Sequence, residues 1–284
     1  MIILDGKLTS EKLKSEVKAK LDAYYASGAP ECNLAIVVVG EDPASAVYVR
    51  NKNRSCAAVG IGNRVIALPE SSTQEEVNEA VKKLAEDKSV HGILVQLPLP
   101  EGLDGDEATS LVPVEKDVDG FTAESLGRLI TGEEGFLSCT PGGIVYLLKN
   151  YGIELKGKKA VIIGRSKIVG KPLALALLNE DCTVTVCHSK TQNLKEITKT
   201  ADILVAAIGK PLFVTADMVK DGAVVLDAGI TRGEGKKIYG DVDFDEVYKK
   251  ASLISPVPGG VGPMTITTLL ANTYEAGMRK INTK

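Results

Sequence analysis

Apolar and polar positions fall into blocks along the chain. Residues 9–26 read as a first helix, and 33–39 (NLAIVVV) form an unbroken apolar run, as expected of a parallel strand covered on both faces. A helix follows through AVYVRNKNRSCAAVGI (46–61), then a short strand, RVIAL. The next helix opens with the capping box Thr73-x-x-Glu76 and places Val77, Val81 and Leu84 on one stripe. GILVQL (92–97) is the next buried strand. This β-α-β-α-β order predicts a parallel sheet with helices on its faces.

After a segment punctuated by Pro and Gly (98–121), the pattern restarts with a helix at 141–150 and the strand KKAVIIG (158–164). A helix from about Gly170 and the strands TVTVC, DILVAAIG and AVVLDAGI follow, and a terminal helix opens at Pro263. The fold class is therefore α/β with two α/β domains. No internal repeat or low-complexity tract interrupts them.

With 284 residues, 44% apolar and 25% charged, the chain has ample material for two cores. A net charge of −3 speaks against a nucleic-acid partner and for a small molecule. The five cysteines include no C-x-x-C pair and the two histidines are far apart, so neither a metal site nor a disulfide framework is expected. The start MIILDGKLTSEK reaches charge too soon for a signal peptide, and the apolar runs fall short of a membrane span. These features indicate a reduced, cytoplasmic protein.

Lys52 breaks the apolar stripe of its helix. At about 100° per residue, Val49, Cys56 and Val59 share one side with Lys52, while Arg50, Asn51 and Arg54 face away. Tyr48 lies one turn earlier, at the spacing that lets two side chains share a face. A snorkelling lysine at the edge of a core gives the same pattern. Gln96 closes an apolar strand at the carboxyl edge of the first sheet, where open α/β sheets bind ligands, although solvated strand-end glutamines are common.

In VIIGRSKIVGKP a strand ends at Gly164 and a helix starts near Gly170, a turn whose backbone amides and helix dipole suit a pyrophosphate. The spacing is not G-x-G-x-x-G, and such turns also serve packing alone. The following strand ends VCHSKT, with His188, Ser189 and Lys190 in place of the carboxylate that holds a ribose 2′-hydroxyl in NAD sites. With Arg165 directly after Gly164, this favours NADP. EKDVDGF, with Asp117 and Asp119, is foremost a turn, and Arg128 stands where a calcium loop needs its glutamate. PVPGGVGPMT (256–265) is a loop whose glycines permit close backbone approach.

Together YVRNK, VQLPLP, KDVDGF, CTPGG, GRSKIVGKP, CHSKT and PVPGGVGPMT resemble, in order and over nearly the whole chain, the FolD family of bifunctional methylenetetrahydrofolate dehydrogenase/methenyltetrahydrofolate cyclohydrolases. The resemblance implies Lys52 as catalytic lysine, Gln96 as its partner, Tyr48 stacking on the folate and Asp119 anchoring the pterin. It assigns Gly164, Arg165, Ser166 and Ser189 to NADP, Thr140, Ile230 and Thr265 to its nicotinamide end, and Pro258, Gly259 and Gly262 to the folate wall. It further implies a folate-binding catalytic domain of residues 1–121 completed by a C-terminal helix at 264–284, a Rossmann-like NADP domain at 122–263, a cleft between them, and a homodimer. Many members carry proline before the CTP run, where this chain has Ser138. Two other readings stay open: an NADP-dependent dehydrogenase of a small carbonyl acid, similar to shikimate dehydrogenase, and a nucleotide-binding module without turnover.

Overall fold

The computed structural model describes residues 2–41, 43–233 and 237–282. In chain order the elements are β1 (Ile2–Ile3), α1 (Gly6–Ala26), β2 (Asn33–Val39), α2 (Pro43–Val59), β3 (Gly62–Leu68), α3 (Gln74–Glu86), β4 (Gly92–Val95), α4 (Gly105–Ser110) and α5 (Ala123–Thr131). They continue as α6 (Cys139–Asn150), β5 (Lys159–Ile163), α7 (Gly170–Asn179), β6 (Thr183–Cys187), α8 (Leu194–Thr198), β7 (Ile203–Ala206) and β8 (Val224–Asp227). The last are β9 (Thr231–Arg232), β10 (Ile238–Tyr239), α9 (Phe244–Tyr248), β11 (Leu253–Ile254) and α10 (Val261–Asn282). Thr283 and Lys284, the end of the expected terminal helix, lie outside the described residues.

The chain forms two compact units, one of residues 12–137 with 266–284, the other of 1–11 with 138–265. Sequence places the first boundary at 121/122; in the structure 122–137 clusters with the residues before it. The cause is the Asp117 carboxylate, which accepts the amides of Gly120, Phe121 and Thr122 and the Ser125 hydroxyl, fastening α5 to the preceding turn. Asn272 Nδ2 then donates to Val118 O and Leu137 O, at 2.8 and 3.1 Å. Residues 1–11 cluster with the second unit because β1 adds in parallel to β11, and Leu4 N donates to Ile254 O.

In the unit of 12–137 the sheet order is β3-β2-β4, all parallel, and the unbroken apolar run of β2 is central. Both halves of the capping box form at the start of α3, and Val77, Val81 and Leu84 are buried against the sheet. Such a cap contributes about 1 kcal/mol and each buried aliphatic side chain roughly 1.5–3 kcal/mol. The other end of α3 is closed by buried Lys116, whose Nζ donates to Leu84 O, Ala85 O and Asp87 O at 2.7–2.9 Å. A cation there meets carbonyls that the helix itself leaves without donors.

The unit of 138–265 has a six-stranded parallel sheet in the order β1-β11-β8-β7-β5-β6. From β5 the chain steps outward to β6, then returns past β5 to β7. The reversal makes the carboxyl ends of β5 and β7 a topological switch point, where sheets of this kind take their ligands. Three strands are shorter than their apolar runs, ending at Val95, Ala206 and Asp227. The next residue after each end, Gln96, Ala207 or Ala228, still donates its amide to the neighbouring strand, and the ladder stops there. Among the described residues no helix is long and apolar enough to cross a membrane.

Candidate active site

In α2, Val49, Cys56 and Val59 are buried while Arg50, Asn51 and Arg54 are exposed, so the sequence period is that of the folded helix. Lys52 is half-buried between the two sets. Its Nζ donates to Gln96 Oε1 at 3.0 Å. The Gln96 amide has a fixed sense, because Nε2 donates to Leu97 O at 2.8 Å and the backbone N–H donates to Val37 O at 2.9 Å. Turning the amide over would set donor against donor at Lys52 and oxygen against oxygen at Leu97. Burial pushes the Cys56 thiol, one turn after Lys52, up to about 12, against a smaller opposing pull from the lysine charge. That thiol is a packing group, not a nucleophile.

Tyr48 is partly exposed one turn before Lys52. The two aspartates of KDVDGF have separate tasks. Asp117 is 1% exposed and spent on three amides and a hydroxyl, whereas Asp119 is half-buried in the turn that Asp117 holds.

In the other unit, Gly164 directly follows β5 at φ +131°, and a Cβ there would lie 2.2 Å from Ala207 O. At Gly170 a Cβ would lie 2.2 Å from Gly164 O. The turn between them thus exists only with glycine at both ends. Ser166 Oγ accepts the amides of Val169 and Gly170, at 3.2 and 3.3 Å, which leaves its own proton to donate elsewhere. Arg165 and Ser189 are exposed, and the turn after β6 is closed by His188 N donating to Thr191 Oγ1 and Lys190 N donating to His188 Nδ1. A bare-backbone cradle, a hydroxyl donor, an arginine beside it and no carboxylate at the end of β6 fit a phosphorylated dinucleotide.

The structure brings Thr140 and Thr265 together, their hydroxyls 3.0 Å apart. Ile230 is exposed, and a Cβ at Gly262 would lie 3.9 Å from its Cδ1. Pro258 and Gly259, the latter at φ +109°, belong with Gly262 to this unit, whereas Tyr48, Lys52, Gln96 and Asp119 belong to the unit of 12–137.

Sequence reasoning missed two aspartates. Asp227, the last residue of β8, accepts the amides of Gly229, Asp241 and Val242 at 2.8–2.9 Å. Asp241 is fully buried and accepts those of Ile208, Gly209 and Lys210 at 2.6–3.1 Å. After the last ladder bonds, those of Ala207 N and Ala228 N, the two carboxylates take up the amides of Ile208, Gly209 and Lys210 and of Gly229. The available signal was an aspartate closing an apolar strand two residues before a glycine, in LDAG.

Residues 4–119 match the family model described as tetrahydrofolate dehydrogenase/cyclohydrolase, catalytic domain, and residues 138–281 match its NAD(P)-binding domain. A protein of Campylobacter concisus called bifunctional protein FolD is 55% identical over 281 residues, 99% of each chain. The crystal structure of the bifunctional FolD enzyme, methylenetetrahydrofolate dehydrogenase/cyclohydrolase, of Campylobacter jejuni superposes with a TM-score of 0.96 at 49% identity, covering 99% of both chains. The Trypanosoma brucei enzyme, solved with NADP and an inhibitor, gives a TM-score of 0.93 at 36% identity over 99% of this chain and 98% of that one.

Proposed function

The chain belongs to the tetrahydrofolate dehydrogenase/cyclohydrolase family, and from that premise we propose that it oxidises 5,10-methylenetetrahydrofolate with NADP and hydrolyses the 5,10-methenyl product to 10-formyltetrahydrofolate. Reduction of a small carbonyl acid is not favoured, since both halves of the chain match the folate family.

NADP, when bound, would supply an acceptor for the hydride of the one-carbon bridge. The folate nitrogens stabilise the resulting cation, so the protein's task in this step is to fix distance and angle. Gly164, Arg165, Ser166 and Ser189 hold the phosphorylated nucleotide; Thr140, Ile230 and Thr265 serve its nicotinamide end. Tyr48 would stack on the folate and orient it, Asp119 would anchor its pterin, and Pro258, Gly259 and Gly262 would form part of its wall.

Hydrolysis needs proton traffic. Water adds to the methenyl carbon and gives up two protons, one of which ends on the ring nitrogen whose bond breaks. Lys52 carries that proton, and Gln96 holds the amine in place. The Nζ–Oε1 contact at 3.0 Å is the observation that carries this half of the reading.

The protein works as a homodimer in the cytoplasm. The outer edge of β6, with Thr183 and Thr185 exposed, and the exposed Leu178 of α7 support association through the nucleotide unit. Five buried cysteines, none in a disulfide, fit a reducing compartment.

The test is purified protein with methylenetetrahydrofolate and NADP, following NADPH and the methenyl compound at separate wavelengths, with NAD alongside. NADPH formed without accumulated methenyl compound supports both activities. Accumulation means a dehydrogenase with a weak second step, and no reduction of either nucleotide refutes the whole reading.

A further inference from the structure

The switch-point crevice of the nucleotide unit has two walls. One is the glycine turn after β5; the other is the loop Ala207–Lys210 after β7. They are packed against each other, since Ala207 O fills the place a Gly164 side chain would need. The second wall has no regular structure of its own, and Gly209 sits at φ +65° with open space around it.

Its backbone is held from behind by a single side chain. Asp241 Oδ2 accepts Ile208 N at 2.6 Å and Gly209 N at 3.1 Å, and Oδ1 accepts Lys210 N at 2.7 Å. Three successive amides thus converge on one carboxylate that is 0% exposed. Asp241 is itself located by its own amide, which donates to Asp227 Oδ1 at 2.9 Å, and by its carbonyl, which accepts Val214 N at 2.9 Å. Asp227 Oδ1 also accepts Gly229 N, so one chain of bonds runs from the loop after β7 to the loop that carries Ile230.

We infer that Asp241 is a positioning residue for the nucleotide site, fixing the 207–210 wall of the crevice through three backbone amides without itself touching the ligand. The geometry requires a carboxylate. Both oxygens face N–H donors, so an asparagine satisfies one side and turns its own N–H₂ toward the other. The loop would then relax out of the position against which Gly164 is packed.

This inference rests on the reading that the unit binds NADP, and the two activities separate their failures. Water addition consumes no nucleotide and uses Lys52 and Gln96 of the other unit. In Asp241→Asn we expect the Kd for NADP and the nucleotide KM to rise roughly ten- to hundred-fold, as for a displaced positioning group. Hydrolysis of the methenyl compound should stay within about two-fold of wild type, a split that general loss of folding would not produce. Wild-type affinity in a folded Asp241→Asn protein overturns the inference. Wild-type protein that binds no NADP refutes the functional reading instead. Hydrogen exchange on the nucleotide-free wild type supplies a check that needs no variant: the amides of 208–210 should be protected before NADP is added, and exchange at the rate of an open loop overturns the inference as well.

Discussion

Lys52 Nζ and Gln96 Oε1 are 3.0 Å apart, and the far end of the same amide is tied to the carbonyl of the next residue, Leu97. The lysine is therefore aimed by a group that cannot turn. Loss of the amine in Lys52→Met should lower kcat for methenyl hydrolysis by about 10²–10⁴-fold, the usual contribution of a positioned proton carrier. A half-buried methionine fits the same stripe, so the thermal midpoint should hardly move. Unchanged hydrolysis in a folded Lys52→Met protein would remove the lysine from the mechanism.

Gly164→Ala should abolish NADP binding in a titration and lower stability. The left-handed backbone alone costs about 1–3 kcal/mol with a side chain, and a Cβ 2.2 Å from Ala207 O forces the two walls apart. An alanine variant that bound NADP with wild-type affinity would show the turn to be a packing device.

Ser138 precedes α6 with φ −52° and ψ 141°, its buried hydroxyl without a hydrogen-bond partner. That backbone already suits proline, which would limit the unfolded chain and remove the orphan hydroxyl. Ser138→Pro should raise the unfolding free energy by about 0.4–1 kcal/mol or more in urea titrations, without altering either activity.

Burial pushes the Asp227 carboxyl up to about 6 from its ordinary 3.8, against the opposing pull of the three amides that donate to it. An acid raised on folding binds its proton more tightly in the native state. Its contribution to stability is thus full below about pH 4 and is lost as pH rises through about 6, a change of about 3 kcal/mol. Exposed Asp217 is lowered by its bonds to Lys195 and Thr215, with the opposite sign, so the measurement must be a difference. Between pH 4 and 7, wild-type stability should fall relative to Asp227→Asn, which cannot titrate there. Parallel curves would show that Asp227 stays ionised throughout.

Much of the architecture was legible because period and burial agree. NLAIVVV is β2 from first residue to last, and Thr73-x-x-Glu76 is a formed capping box. The stripe around Lys52 gave both the helix and its odd residue. What stayed hidden depends on carboxylates reaching across the chain. Asp241 meets amides some thirty positions earlier, and Asp117 binds α5 to the turn before it. Apolarity continues past Ala206 to Ile208, so the pattern along the chain does not mark where β7 stops. Short elements such as β1 and β11, with two residues each, carry no readable period.

Each unit is assembled from two separated stretches of the polypeptide. A cut at 137/138 would leave the first piece with the carbonyls of Val118 and Leu137 but without the Asn272 amide that donates to both, and the second piece without the edge strand at Ile2–Ile3. Neither unit is a cassette that one continuous segment of gene could encode. Recombination between relatives would have to exchange the ends together with the middle, so the two halves of this enzyme are bound to be inherited as one.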